Sequence, residues 1–80
     1  MSNKLSNLAV GVTAQIISID SKSDKRVKQR LRDMGIVKGE QLFIKKLAPL
    51  GDPMEVILKG YSLSLRKKEA ELIIVEAVNE

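Results

Sequence analysis

Single glycines and two prolines divide this chain into short segments, which favours short secondary-structure elements. The five glycines stand singly, at Gly11, Gly35, Gly39, Gly51 and Gly60. The two prolines, Pro49 and Pro53, lie on either side of one of them. Because both residue types interrupt regular structure, the chain is limited to short strands and one short helix. No Ser- or Pro-rich linker separates two parts, so we expect a single domain over residues 1–80.

Most segments between these turns have the composition or alternation of strands. The five predicted strands are Val12–Ile19, Gln41–Leu47, Met54–Leu58, Tyr61–Leu65 and Leu72–Glu76. In Gln41–Leu47, for example, Leu42 and Ile44 point to one face and Phe43 to the other. Lys59-Gly60 is a tight hairpin turn between two of the strands. The sequence therefore predicts a mainly β protein.

One segment has the period of a helix instead. Val27, Leu31 and Met34 fall at i, i+4 and i+7, which places them on one helix face. Asp24 suits the N-cap and Gly35 the residue after the C-cap, so we predict a helix over Asp24–Met34. Arg66–Ala70 is predicted to form one further helical turn. About five short strands with one inserted helix indicate a small SH3-like β-barrel, since barrel closure removes open strand edges.

Composition excludes several kinds of site. The chain has no Cys and no His, which excludes disulfides, a thiolate nucleophile, an imidazole base and the usual zinc or iron ligands. The carboxylates are scattered, and no pair has the setting of a general acid and base. We therefore expect no enzyme, no catalytic residues and no cofactor. Carboxylates are the only side chains left that could hold Fe²⁺ or another divalent metal.

The chain also lacks the long apolar stretches of membrane proteins. Its longest uninterrupted apolar run is Leu72 to Val75, whereas a membrane span needs about 20 residues. The first residues, Met1 to Leu5, lack the apolar core of a signal peptide. We expect a cytoplasmic protein.

The charge is positive, with 14 basic and 10 acidic residues giving a net +4. A basic run occupies the predicted helix: Lys22, Lys25, Arg26, Lys28, Arg30 and Arg32. Such a run is either a docking face for phosphate or an acidic protein surface, or a solvated helix exterior, which the sequence favours. A second cluster is Arg66-Lys67-Lys68. Binding to nucleic acid is an alternative, but Phe43 and Tyr61 are the only aromatics available for base stacking.

The most distinctive short string is Pro49-Leu50-Gly51-Asp52-Pro53. Two prolines stiffen this turn, and Asp52 can accept a hydrogen bond from its own backbone in an Asx turn. Leu50 fits two interpretations equally. Either it is exposed on a protein-docking loop, or it is tucked over one open end of the barrel.

These segments, taken in order, resemble the FeoA family. The matching residues are Leu8, Gly11, Ala14, Arg30-Leu31, Met34-Gly35-Ile36, Gly39, Pro49–Pro53, Gly60-Tyr61, Leu65-Arg66, Glu69-Ala70 and Ile74-Val75. The resemblance covers roughly Leu5 to Glu76. It implies an SH3-like barrel with a helical insertion, and an accessory protein of bacterial ferrous iron uptake. The barrel is also similar to the C-terminal domain of iron- and manganese-dependent repressors, which makes weak binding of a divalent metal a further alternative.

The same resemblance implies a partner and a location. The partner is a FeoB-type iron permease with a cytoplasmic GTP-hydrolysing domain, and it would recruit this chain to the inner face of the membrane. We expect regulation by protein–protein docking, with no stable nucleic acid complex. The candidate partner-binding residues are Arg26 and Arg30 on the helix and Leu50 and Asp52 in the turn.

Overall fold

Residues 2–78 are described in a computed structural model of the chain, and six strands form one antiparallel sheet. The strands are β1 (Ser2–Lys4), β2 (Thr13–Ile19), β3 (Gln41–Leu47), β4 (Met54–Leu58), β5 (Tyr61–Leu65) and β6 (Ile73–Ala77). The helices are α1 (Lys25–Asp33) and α2 (Lys67–Ala70), and single 3-10 turns lie at Leu5–Asn7 and Pro49–Gly51. The order across the sheet is β1-β6-β2-β3-β4-β5.

The predicted strands are all present, but the count of five is too low by one. β3, β4 and β5 have the predicted bounds, β2 begins one residue later than predicted, and β6 begins and ends one residue later. The additional strand is β1, whose three residues are all exposed. Its three polar residues give no apolar alternation from which a strand could be predicted. β1 is held instead by pairing with β6, with Asn3 opposite Val75.

The sheet bends around the core and remains open between its two edge strands. Bulges interrupt the register of β2 against β6 near Ile16 and of β3 against β4 near Ile44, and such bulges bend a strand. Within residues 2–78, β1 and β5 each have one strand neighbour and no ladder joins them. Closure of the barrel is therefore partial.

The inward faces of all strands except β1 meet in one apolar core. Its fully buried side chains include Ile16, Leu42, Ile44, Val56, Leu58, Leu65 and Val75. Helix α1 adds Leu31, which is completely buried, while Val27 and Met34 pack against the core at its margin. Phe43 lies on the outer face, as the alternation predicts, and is 39% exposed.

Both ends of α1 are set by the residues that the sequence indicates. The Asp24 carboxylate caps the N-terminus by accepting from the Arg26 N–H at 2.7 Å. At the other end the Gly35 N–H donates to the Arg32 carbonyl and the Ile36 N–H to the Leu31 carbonyl, both at 2.9 Å. This pair of bonds is a Schellman motif, and Gly35 has the positive φ of 97° that the motif requires.

Gly35 is also constrained by its neighbours. The Tyr61 hydroxyl donates to the Met34 carbonyl at 2.6 Å. A Cβ on Gly35 would lie 2.6 Å from the Tyr61 hydroxyl oxygen and 3.1 Å from a Leu58 methyl carbon. Gly39 has a similar φ of 92°, but a Cβ there would meet nothing within 4 Å. An alanine at Gly39 would therefore cause backbone strain alone, whereas an alanine at Gly35 would cause both backbone strain and a steric clash.

We predict that Gly35→Ala destabilises the fold much more than Gly39→Ala. Both variants carry the strain of a Cβ at positive φ, about 1 kcal/mol. Gly35→Ala adds overpacking of about 1–3 kcal/mol and displaces the Tyr61 hydroxyl. Urea unfolding of the two variants and the parent chain measures the difference. Equal losses of the free energy of unfolding would show that the contact with Tyr61 is not a constraint.

Candidate functional site

The cations of α1 lie on two different flanks of the helix. Arg26 and Arg30 are four residues apart and so share one flank, and Arg30 pairs with Glu69 of α2. Lys28 and Arg32 share the other flank and line a groove against β2. The basic run is therefore not one face, because the buried apolar stripe of α1 lies between the two pairs.

The first flank connects α1 to α2 through a carboxylate. One oxygen of Glu69 accepts from the Arg30 guanidinium, and the other accepts from the Arg66 N–H at 2.9 Å, which caps the start of α2. The Glu69 side chain is only 12% exposed, whereas that of Arg30 is 61% exposed. Glu69 therefore holds Arg30 in place and leaves much of the Arg30 side chain open to solvent.

The proline-flanked turn meets the same short helix. The Asp52 carboxylate accepts from the Lys67 N–H at 3.1 Å. The Asx turn expected at Asp52 is wrong, because this carboxylate bonds α2 and no bond to its own turn occurs within the described chain. Asp52 and, through the Glu69 carboxylate, Arg30 thus both contact the N-terminal end of α2. We call the area formed by Arg26, Arg30, Leu50, Asp52 and α2 the α2 surface.

Leu50 is the most exposed large apolar side chain among the described residues, at 99%. It is not tucked over the barrel end. Its φ is 69°, a left-handed conformation that is unfavourable for leucine. A pocket of about 140 Å³ opens between this turn and α2, with Leu47, Met54 and Ala70 in its lining. The α2 surface therefore combines a protruding apolar side chain, an adjacent apolar recess and nearby cations.

The two aromatic side chains do not form a stacking platform. Phe43 lies opposite Ile57 on the outer face of the sheet. Tyr61 lies opposite the buried Leu58, and its hydroxyl donates to Met34. Since residues directly opposite each other share a face, the two rings lie on opposite faces of the sheet. No base could stack between them.

Residues 2–78 contain neither a cluster of metal-binding carboxylates nor a membrane-spanning helix. No group of three or more Asp or Glu side chains is placed to hold a metal ion in this part of the chain. None of its helices has both the length and the apolar character needed to cross a membrane.

Comparison with known proteins gives the family. The family model described as the FeoA domain matches residues 3–77. This chain belongs to the FeoA family. The family assignment links the FeoA domain described here to ferrous iron transport, and it confirms the resemblance found in the sequence.

Three relatives show how far the similarity extends. The FeoA-like protein of Clostridium acetobutylicum is 39% identical, with a TM-score of 0.88 over 99% of this chain and 90% of that one. FeoA of Stenotrophomonas maltophilia, solved with zinc and described as an SH3 domain protein, is 31% identical, with a TM-score of 0.77 over 95% of this chain and 89% of that one. A Porphyromonas gingivalis protein described as a fusion of Fe(2+) transport protein A and Fe(2+) transporter FeoB is 33% identical over 76 residues. The match covers 95% of this chain but only 9% of the fusion protein.

The fold extends beyond the family. A manganese-dependent transcriptional repressor with bound manganese is 19% identical, with a TM-score of 0.88 over 96% of this chain and 37% of that one. At this identity the likeness shows the fold alone. The predicted SH3-like architecture with a helical insertion is confirmed for this FeoA domain.

Two residues of the α2 surface were not predicted from the sequence. Glu69 joins α1 to α2, and the Lys67 backbone N–H donates to the Asp52 carboxylate. Glu69 had a usable signal, since it lies three residues after the start of a helical turn, where a carboxylate commonly caps the first N–H groups. The Lys67 N–H had none, because its partner lies 15 positions earlier in the chain.

We predict that Asp52→Ala lowers the free energy of unfolding by about 1 kcal/mol, because it removes the acceptor for the first N–H of α2. Asp52→Asn keeps an oxygen at that position and should lose less than half as much. Urea unfolding gives the two values, and hydrogen exchange at the Lys67 amide should accelerate only in the alanine variant. If both variants lose the same stability, the charge of Asp52 matters rather than this hydrogen bond.

Proposed function

We propose that this FeoA domain is a cytoplasmic accessory protein of ferrous iron uptake that docks on a FeoB-type permease through the α2 surface. The observation that carries the proposal is Leu50, which is fully exposed and in a left-handed conformation. An exposed leucine gains no burial energy, and its backbone conformation costs about 1 kcal/mol or more. Contact with a partner would bury this side chain, which is exposed in the free protein.

One relative supports the choice of a FeoB-type partner. In the Porphyromonas gingivalis protein, a domain 33% identical to this chain is described as fused to FeoB. Fusion keeps two domains at high effective concentration, which suits a pair that works in contact. For a separate FeoA chain, the corresponding arrangement is reversible docking on the cytoplasmic part of the permease, which would bring the chain to the inner face of the membrane.

The chemistry of the α2 surface indicates how the docking would work. Leu50 would enter an apolar pocket on the permease and supply most of the binding energy. Arg26 and the exposed part of Arg30 would orient the approach to an acidic patch around that pocket. Asp52 and Glu69 are already used inside the protein, so their part is to hold the turn and helix in position. Regulation would follow from occupancy of the GTP-hydrolysing domain by this rigid surface.

Protein docking has more support than binding to nucleic acid. The two aromatic rings lie on opposite faces, and the cations of α1 are divided between two flanks. A binder of single-stranded nucleic acid would instead align aromatic rings along one positive groove. The protruding Leu50 has no counterpart in such a site.

We predict that Leu50→Asp weakens binding to the purified permease, held in nanodiscs, by about 2 kcal/mol or more, which is roughly 30-fold in Kd. Arg26→Glu should produce a smaller loss that disappears at high salt. Isothermal titration at near-physiological salt measures both. Val10→Asp is the matched control, since Val10 is also an exposed aliphatic residue, at 51%, outside the α2 surface.

Leu50→Asn separates docking from folding. Asparagine tolerates the left-handed conformation, so this variant should be more stable than the parent chain by about 0.5–1 kcal/mol and yet bind the permease less tightly. Unchanged binding in both Leu50 variants would exclude the α2 surface. A loss as large in Val10→Asp as in Leu50→Asp would show that the effect is not local.

A further inference from the structure

A second surface lies on the other flank of α1 and uses none of the four candidate docking residues. It is a groove of about 270 Å³ between α1, β2 and the segment 36–38. Ile17, Ile19 and Val37 contribute to an apolar floor together with the buried Ile36. Aliphatic side chains on the floor of an open groove are suited to receiving other aliphatic side chains.

The rim of this groove is positively charged. Lys28 and Arg32 of α1 stand on one side and Lys38 on the other, and no carboxylate lines the groove. None of the three forms a salt bridge within residues 2–78. Lys28 is half-buried, and its ammonium donates to the Ser21 carbonyl at 3.3 Å, which holds the charge at the rim. The groove therefore presents cations without intramolecular carboxylate partners above an apolar floor.

One wall of the groove is a strand edge. The turn before β3 pairs with β2 only as far as Ile16, whose N–H donates to the Glu40 carbonyl and whose carbonyl accepts from the Gly39 N–H, both at 2.8 Å. Beyond that point β2 pairs with β6 on its other side, with Ser18 opposite Ile74. Among the described residues, no strand lies beside Ile17–Ile19 on the groove side. This short edge spans roughly 10 Å and can accept an added extended segment.

We propose that this groove binds a short extended peptide segment in which acidic and aliphatic residues alternate. The peptide backbone would add to the free edge at Ile17–Ile19. Its aliphatic side chains would contact Val37 and the partly exposed Ile17 and Ile19. Its carboxylates would pair with Lys28, Arg32 and Lys38. Charge complementarity favours this occupant, because three cations with no carboxylate in the lining attract an anionic partner.

Other anionic occupants fit the groove less well. A nucleic acid strand would bring bases that need aromatic or polar partners, and the lining has only aliphatic and basic side chains with one serine, Ser18. A flat bilayer surface could reach the rim but not the floor. The proposal does not depend on docking to the permease, since it rests on different residues.

The first step of the test is a selection with random peptides displayed on phage against the intact immobilised protein. The proposal predicts a consensus with alternating acidic and aliphatic residues. The synthetic consensus peptide, added to the ¹⁵N-labelled protein, should shift the amides of residues 17–19 and 36–38 and of Lys28 and Arg32. A basic consensus, or shifts confined to another part of the chain, would overturn the proposal, as would a failure to select any peptide.

Variants and a modified peptide test the chemistry of the groove. The double variant Lys28→Glu, Arg32→Glu should bind the consensus peptide with a Kd about tenfold or more higher than that of the parent chain. Lys4→Glu with Lys46→Glu makes the same change in net charge at two exposed lysines outside the groove lining and should have little effect. N-methylation of alternate peptide amides should abolish binding, because it blocks addition to a strand edge. Equal losses in the two double variants, or full binding by the methylated peptide, would contradict the proposed mode.

Two further probes distinguish the other anions. A single-stranded oligonucleotide and vesicles of phosphatidylglycerol are titrated against the parent chain and the Lys28→Glu, Arg32→Glu variant. The proposal predicts that neither competes with the consensus peptide at near-physiological salt. Competition by either probe, lost in the variant, would reassign the groove to that ligand.

Discussion

Burial of Leu31 against the sheet fixes the rotation of α1 about its own axis, and the rest of the surface follows from that rotation. Leu31 is completely buried, which is worth about 1.5–3 kcal/mol, and Val27 and Met34 pack beside it. With this stripe held inward, Arg26 and Arg30 lie toward α2, and Lys28 and Arg32 lie toward β2. One apolar contact thus determines which cations act together.

The end of α1 shows how local signals and packing act jointly. Gly35 ends the helix because it adopts a positive φ, and the same position has no room for a side chain beneath Tyr61. The Tyr61 hydroxyl bonds the Met34 carbonyl, so the β4–β5 hairpin holds the last turn of the helix. The insertion is therefore attached to the sheet at its C-terminal end by a hydrogen bond as well as by its apolar face.

The sequence predicted the parts of the fold that depend on neighbouring residues. Asp24 and Gly35 marked the ends of α1, and the turn at Lys59-Gly60 marked a hairpin, because caps and tight turns are set by local backbone geometry. β1 was missed because its stability comes from pairing with β6, far along the chain. The bond from Lys67 to Asp52 and the pairing of Arg30 with Glu69 were missed for the same reason. They span 15 and 39 positions.

The candidate site was predictable as a set of residues but not as an arrangement. The sequence shows one basic run, but burial of the apolar face of α1 divides it into two flanks. One flank lies on the side of the protruding Leu50, and the other lines the concave groove against β2. A knob such as Leu50 suits a pocket in a folded partner, and a groove with a strand edge suits an extended segment. Two such surfaces on opposite flanks of one helix do not compete for space. Each surface could therefore be occupied without blocking the other, with α1 as the common support.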